Sequence, residues 1–130
     1  MEVRRVLVSG SRDWNDESAL GAALDKQRLI ARRDGVSLVV VHGAARGADS
    51  MASDWASFAV GVTQEQHSAD WDKGRTAGFL RNQEMVDAGA YVCLAFVIAG
   101  KSKSKGTRDC IRRAKKAGIP VVIHLGGGGW

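Results

Sequence analysis

Several short segments of this chain set glycine beside residues that can hold an anion. In Ser9-Gly10-Ser11-Arg12, a glycine lets the backbone approach a bound group closely, while Ser11 and Arg12 supply donors. A tight turn that needs Gly10 accounts for the same residues. His42-Gly43-Ala44-Ala45-Arg46-Gly47-Ala48-Asp49 carries more chemistry, because Gly43 and Gly47 flank a strand-to-helix turn whose free amides favour phosphate, and Arg46 adds a charge-assisted contact. Asp49 has two uses there: it can cap the helix, or it can accept from sugar hydroxyls. The segment lacks the Gly-Lys-Ser/Thr of a Walker loop, and its spacing fails the GxGxxG fingerprint. Gly106-Thr107 repeats the theme at another helix start, with Lys105 and Arg108 alongside.

Other residues complete the candidate set. Asp70-Trp71 falls in a loop, where the indole either stacks on a base or sugar face or plugs the loop from below. Arg81-Asn82 can reach phosphate and ribose from the following helix, or Arg81 can pair with Glu84 or Asp87 on the surface. Trp55 lies on an apolar helix face and reads as core. His67 and His124 have no paired ligand spacing, so no metal is assigned, and no cofactor motif is present. Cys93 and Cys110 have no CxxC spacing and read as structural thiols.

These segments need elements to position them. The chain has 130 residues, 45% of them hydrophobic and 25% charged, which suits a single soluble core, expected over residues 1–125 with a glycine-rich tail at 126–130. Val6-Leu7-Val8 and Leu38 to Val41 are uninterrupted apolar runs of the kind buried on both faces of a parallel sheet. A helix capped by Asn15 or Asp16 and ended by Gly35 separates them. A second helix begins near Arg46 to Asp49 and ends before Gly61; a third strand around Val62-Thr63 is the weakest signal. A helix over about Arg75 to Ala88 turns Phe79, Leu80 and Met85 inward. Tyr91 to Ile98 is a strand, Gly100 to Gly106 a basic loop, Thr107 to Ala117 a helix and Pro120 to His124 a last strand. Alternation of this kind implies an α/β fold, doubly wound, with a mainly parallel five-stranded sheet, helices on both faces, and ligands at the carboxyl ends of the strands. The expected functional loops are Gly10 to Trp14, Gly43 to Asp49, Asp70 to Arg75 and Gly100 to Thr107.

The net charge is +5, concentrated between Lys101 and Lys116, where Asp109 is the single acid. That stretch is either a solvated helix face or a surface for single-stranded nucleic acid. No apolar run approaches the roughly 20 residues of a bilayer span, and no secretory signal opens the chain, so no membrane partner and a cytoplasmic location are expected.

Taken together, Ser9-Gly10-Ser11-Arg12, His42-Gly43 through Gly47-Ala48-Asp49, Ala69-Asp70-Trp71, Ala77-Gly78 through Arg81-Asn82 and Gly106-Thr107 resemble the SLOG superfamily, and more closely its small DUF2493, or YspA-type, branch. The resemblance runs from Val6 to Ile123. It implies a Rossmann-like fold that binds nucleotides or nucleotide-derived ligands, often as a homodimer. Relatives include the cytokinin-activating phosphoribohydrolases and the single-strand-binding protein DprA. Those hydrolases carry Pro-Gly-Gly-x-Gly-Thr-x-x-Glu; here Ser102-Lys103-Ser104-Lys105 precedes Gly106-Thr107, and Cys110 stands at the glutamate position.

The leading expectation is binding or sensing of a nucleotide-like ligand. Phosphate would lie on Gly10, Ser11, Gly43, Arg46, Gly106 and Thr107, with Trp71, Asp49 and Asn82 at the base or ribose. The alternative is a nucleoside-monophosphate N-glycosidic hydrolase, whose catalytic carboxylate would be Glu84, Asp109 or Asp70. Single-stranded nucleic-acid binding is a second alternative.

Overall fold

A computed structural model describes residues 2–100 and 104–126. Five strands, β1 (Val3–Gly10), β2 (Ser37–His42), β3 (Val62–Gln66), β4 (Val92–Ile98) and β5 (Val121–Gly126), alternate with four helices, α1 (Glu17–Arg33), α2 (Ala48–Phe58), α3 (Ala77–Asp87) and α4 (Lys105–Lys116). A single 3₁₀ turn, Trp71–Lys73, precedes α3. All strand pairs are parallel, in the order β3-β2-β1-β4-β5. The winding reverses at β1, which leaves a crevice at the carboxyl ends of β1 and β4.

Strand alternation sorts the core. Val6 and Val8 of β1, with Leu94 and Phe96 of β4, face Leu20 and Leu24 of α1 and Ala52 and Ala56 of α2. Leu7 and Cys93 face the other way, onto Met85 and Val86 of α3 and Cys110 and Ala114 of α4. Each such Leu, Val or Phe contributes about 1.5–3 kcal/mol by leaving water. All seven residues of β4 are buried, as a central strand covered on both faces requires. Asp16 caps α1 by accepting from the Ala19 amide at 3.0 Å, and Gly35 ends the helix at φ 70°.

Several boundaries and faces differ from expectation. Helix α4 starts at Lys105, two residues early, because Ser104 turns left-handed (φ 61°) and its Oγ bonds back to the Ile98 amide at 3.1 Å. β3 extends beyond the expected Val62-Thr63 to Gln66; it is a half-exposed edge strand, so its polar Gln64 and Gln66 give no apolar strand signal in the sequence. On α3 the buried positions are Ala77, Asn82, Met85 and Val86, while Leu80 is exposed and Phe79 half-exposed, because the helix turns its 82/85/86 stripe to the core. Trp14 lies in an expected functional loop but packs into the core, edge-on to Phe96 at 5.2 Å between ring centroids. The expected tail overlaps β5 at Gly126, and 127–130 lie outside the described residues, as do Lys101, Ser102 and Lys103 of the basic loop.

The end of β3 is tied to α3 by a charge chain. Arg5 of β1 makes a two-pronged pair with Glu65, whose Oε2 lies 2.6 Å from His67 Nε2; His67 Nδ1 lies 2.6 Å from Glu84 of α3. The Arg5 guanidinium, then His67, holds Glu65 down to about 2. Burial works to lower the His67 pKa, but the hydrogen bonds to Glu65 and Glu84 outweigh it, and His67 titrates above its ordinary value.

Candidate functional site

At the carboxyl ends of β1 and β4, a cleft of about 350 Å³ opens between the first turns of α2, α3 and α4. A second hollow of about 520 Å³ adjoins it over the loop after β2, and the two share Arg12, Ala45, Arg46, Trp71 and Arg81.

The walls are held by close backbone packing. A Cβ on Gly10 would sit 2.3 Å from Ala48 Cβ, and one on Gly47 (φ 76°) would sit 2.4 Å from the Ser11 carbonyl oxygen. That carbonyl also accepts from the Ala48 amide at 3.2 Å, locking the β1 loop to the start of α2. A Cβ on Gly43 would meet the Arg81 guanidinium, which donates to the Gly43 carbonyl. These three glycines therefore answer first to the chain's own packing. Gly106 differs: it lines the cleft, and no atom of the described residues lies within 4 Å of where its Cβ would stand.

The loop after β2 is fixed from inside. His42 is buried; its Nδ1 accepts from the Ala44 amide at 3.0 Å, so Nε2 carries the proton and donates to Gln64 Oε1 at 2.8 Å. Ala44 is held left-handed at φ 59°. Asp49 Oδ2 accepts from the amides of Gly43 (3.1 Å) and Ala45 (3.2 Å), whereas Oδ1 is buried without a partner. Burial pushes this carboxyl up, against the opposing pull of the Ala45 and Gly43 amides and of charge interaction with His42 and Arg81. Asp49 thus does not cap α2. It sits inside the first turn and organises the preceding loop.

Charge in the cleft is mostly positive. Arg12, Arg46, Arg75, Arg81 and Lys105 line it, with Asp13 and Asp49 as its acids. Arg81 is engaged with Gly43 and with Asn82 Oδ1, and the Arg12 guanidinium lies over the Trp71 ring at 5.4 Å. Arg46, Arg75 and Lys105 have no partner among the described residues. Trp71, 54% exposed, lies across Gly78, where the absence of a side chain leaves it room. Lys105, Gly106 and Thr107 of the α4 first turn line this region, where a helix N-terminus favours bound anions, whereas at the start of α2 the Ala48 amide is already given to the Ser11 carbonyl.

The family model of the YspA, cpYpsA-related SLOG family matches residues 4–74, which include the loops after β1 and β2 and Trp71. The chain belongs to this family. It is 50% identical over 125 residues to the Gene 61 protein of Mycobacterium phage D29, covering 92% of this chain and 95% of that protein. The X-ray structure of TM1055 shares the fold, with a TM-score of 0.66 at 23% identity over 98% of this chain and 77% of that one.

In this SLOG chain the cleft gathers Gly10, Ser11, Arg12, Arg46, Asp49, Trp71, Arg81, Asn82, Gly106 and Thr107, and the adjoining hollow adds Gly43 and Ala44. Gly47 lies beneath, at the N-cap of α2. The three carboxylates considered for catalysis lie elsewhere. Asp70 caps the 3₁₀ turn, Glu84 is exposed and bound to His67, and Asp109 is buried with its oxygens taken by Asn82 (3.1 Å), Arg112 (3.2 Å) and Arg113 (2.8 Å). Cys110, at the position of the hydrolases' glutamate, points into the core beside Cys93. Asn82 joins α3 to α4, donating to Asp109 and to the Gly106 carbonyl at 3.0 Å. Sequence reasoning did not single out Asp13, Arg75, Phe79 or Met85 for this cleft. Asp13 and Arg75 fall inside loops it did name, and that was the available signal. Of the basic stretch, Arg112 and Arg113 are spent on Asp109, and Arg108 donates to the Gly100 carbonyl. Among the described residues no helix is long and apolar enough to cross a membrane, and no three His, Cys, Asp or Glu side chains cluster as metal ligands.

Proposed function

We propose that the cleft binds a nucleotide or nucleotide-derived ligand, and that the chain acts as a binding or sensing domain. The observation that carries this reading is the convergence of three unpartnered cations, Arg46, Arg75 and Lys105, with the first turn of α4 around one cleft. Unspent cations and free amides together suit a phosphate. The exposed face of Trp71 at the rim suits a base, since an aromatic surface stacks on any nucleobase. Membership of the SLOG family agrees with a nucleotide-related role.

A thermal-shift screen tests it, with nucleoside mono- and diphosphates, cyclic nucleotides, NAD and ADP-ribose against the native chain, Arg46→Ala and Trp71→Ala. A ligand at about 100 times its dissociation constant adds about 2.7 kcal/mol of stability. The expected result is stabilisation of the native protein by one class and a weaker shift in both variants. Melting curves that no member of the panel moves would refute the reading.

A further inference from the structure

The segment that carries Trp71 to the cleft has no anchor of its own in the core. From Ser68 to Thr76 no side chain is buried, whereas Ala77, which follows, is. Inside the segment the bonds are local: Asp70 caps the 3₁₀ turn, and the Lys73 and Gly74 amides donate to the Asp70 and Trp71 carbonyls at 3.0 Å each. A loop without buried contacts opens at little cost, so its position is set by what grips its ends and flanks. One face of α3 does the gripping. Gly78, Arg81 and Glu84 follow one another at three-residue spacing along that helix; Trp71 lies across Gly78, Arg81 donates to the Gly43 carbonyl, and Glu84 meets His67 at the entry to the segment. The last of these grips depends on a proton. His67 Nε2 lies 2.6 Å from Glu65 Oε2, and Nδ1 lies 2.6 Å from Glu84 Oε1. A neutral imidazole has one N–H and a carboxylate only accepts, so both contacts are hydrogen bonds only when the ring is charged. The groups facing the ring are Glu65 of its own strand and Glu84 of α3, with Arg5 of β1 behind Glu65 and Arg81 one turn from Glu84. Arg5 is already paired with Glu65, and Arg81 with Gly43 and Asn82, so neither is free to take the place of the imidazolium beside Glu84.

We propose that His67 is the positioning residue of the Trp71 segment, a proton-operated clasp that docks the loop after β3 onto α3 and releases it when the ring deprotonates. With the proton gone, one N–H is left for two carboxylates. Glu65 keeps the Arg5 guanidinium, whereas Glu84 is mostly exposed and exchanges the ring for water, so the Glu84 side is the one that opens. The segment then touches this face of α3 through Trp71 and Gly78, and Trp71 gains freedom at the rim of the cleft. The direction follows from the two flanking carboxylates, which raise the ring's affinity for its proton. The clasp is closed below the ordinary histidine value near 6.5 and opens as pH rises through the higher folded value. It operates whether or not the cleft takes a nucleotide.

The test needs no ligand. The full chain is labelled with 5-fluorotryptophan, the Trp71 fluorine resonance is identified by its absence from Trp71→Phe, and that resonance is followed from about pH 5.5 to about pH 9 beside the ring protons of His67. Tryptic cleavage after Lys73 and Arg75, corrected at each pH with a peptide substrate, reads the opening of the segment independently. The Trp71 resonance should move with the His67 midpoint, and cleavage should quicken by about two- to fivefold over the same range, as loss of one exposed ion pair predicts. In His67→Gln both readouts should be flat. In Glu84→Gln the amide can meet the ring in either protonation state, so His67 still titrates while the Trp71 response and the step in cleavage shrink. Glu84 is mostly exposed, so this variant keeps the fold should His67→Gln lose it. His42, the other ring near these loops, is intact in both variants, and a response that it carried would survive in them. A Trp71 resonance or a cleavage rate that ignores the His67 titration, or a response that persists undiminished in either variant, overturns the proposal.

Discussion

Gly106→Ala separates a glycine kept for a ligand from one kept for the fold. Gly106 is the second residue of α4, its φ is not in the left-handed region, and its missing Cβ would meet no atom of the described residues. Alanine is the better helix former by about 1 kcal/mol in a helix interior, and about half of that applies in a first turn. For a domain of this size the gain raises Tm by about 2 °C. The same methyl stands at the cleft wall, beside the free amides of the α4 first turn. An anion held there would be displaced, weakening pyrophosphate or nucleoside monophosphate by about tenfold, or about 1.4 kcal/mol. Denaturant melts without ligand and calorimetric titration with it read the two effects independently. Higher stability with lower affinity is expected. Unchanged affinity in a stabilised variant would remove the α4 terminus from the anion site, and lost stability would refute the packing argument itself.

Gly10 should behave in the opposite way: Gly10→Ala drives a methyl into Ala48 and should cost about 1–3 kcal/mol, part of which Ala48→Gly restores, so chemical denaturation of the double variant should show a smaller loss than the two single losses added. Asp109→Ala strips Asn82, Arg112 and Arg113 of their shared acceptor and should lower stability by about 2–3 kcal/mol in urea melts; full stability with lost activity would restore it as a catalytic candidate. His67 gains affinity for its proton on folding, so its contribution is complete below its unfolded value near 6.5 and fades as pH rises through the higher folded value. The Tm difference between native protein and His67→Ala should therefore be largest near pH 6 and shrink in alkaline buffer, and a difference that grows with pH would contradict the bridge to Glu65 and Glu84.

Apolar runs and glycine punctuation in the sequence determined the alternating parallel architecture, because strands buried on both faces must be apolar throughout and crossover helices must stop at residues such as Gly35. Those signals also placed Gly10 to Arg12, Gly43 to Asp49 and Gly106-Thr107 at the carboxyl edge, since strand-to-helix turns in a doubly wound sheet fall there. Only the tertiary structure decided what each residue does at that edge. Asp49, Asp70, Glu84 and Asp109 are alike in one dimension, yet one lines the cleft with an oxygen unspent, one caps a turn, one binds His67 and one staples α3 to α4. The glycines divide in the same way: Gly10, Gly43 and Gly47 make room for the chain itself, and Gly106 opens on the cleft. Local spacing fixes which residues a turn contains, whereas the contacts that join one segment to another, such as Arg81 to Gly43, 38 residues apart, and Arg5 to Gly89, 84 residues apart, exist only once the packed sheet brings those segments together.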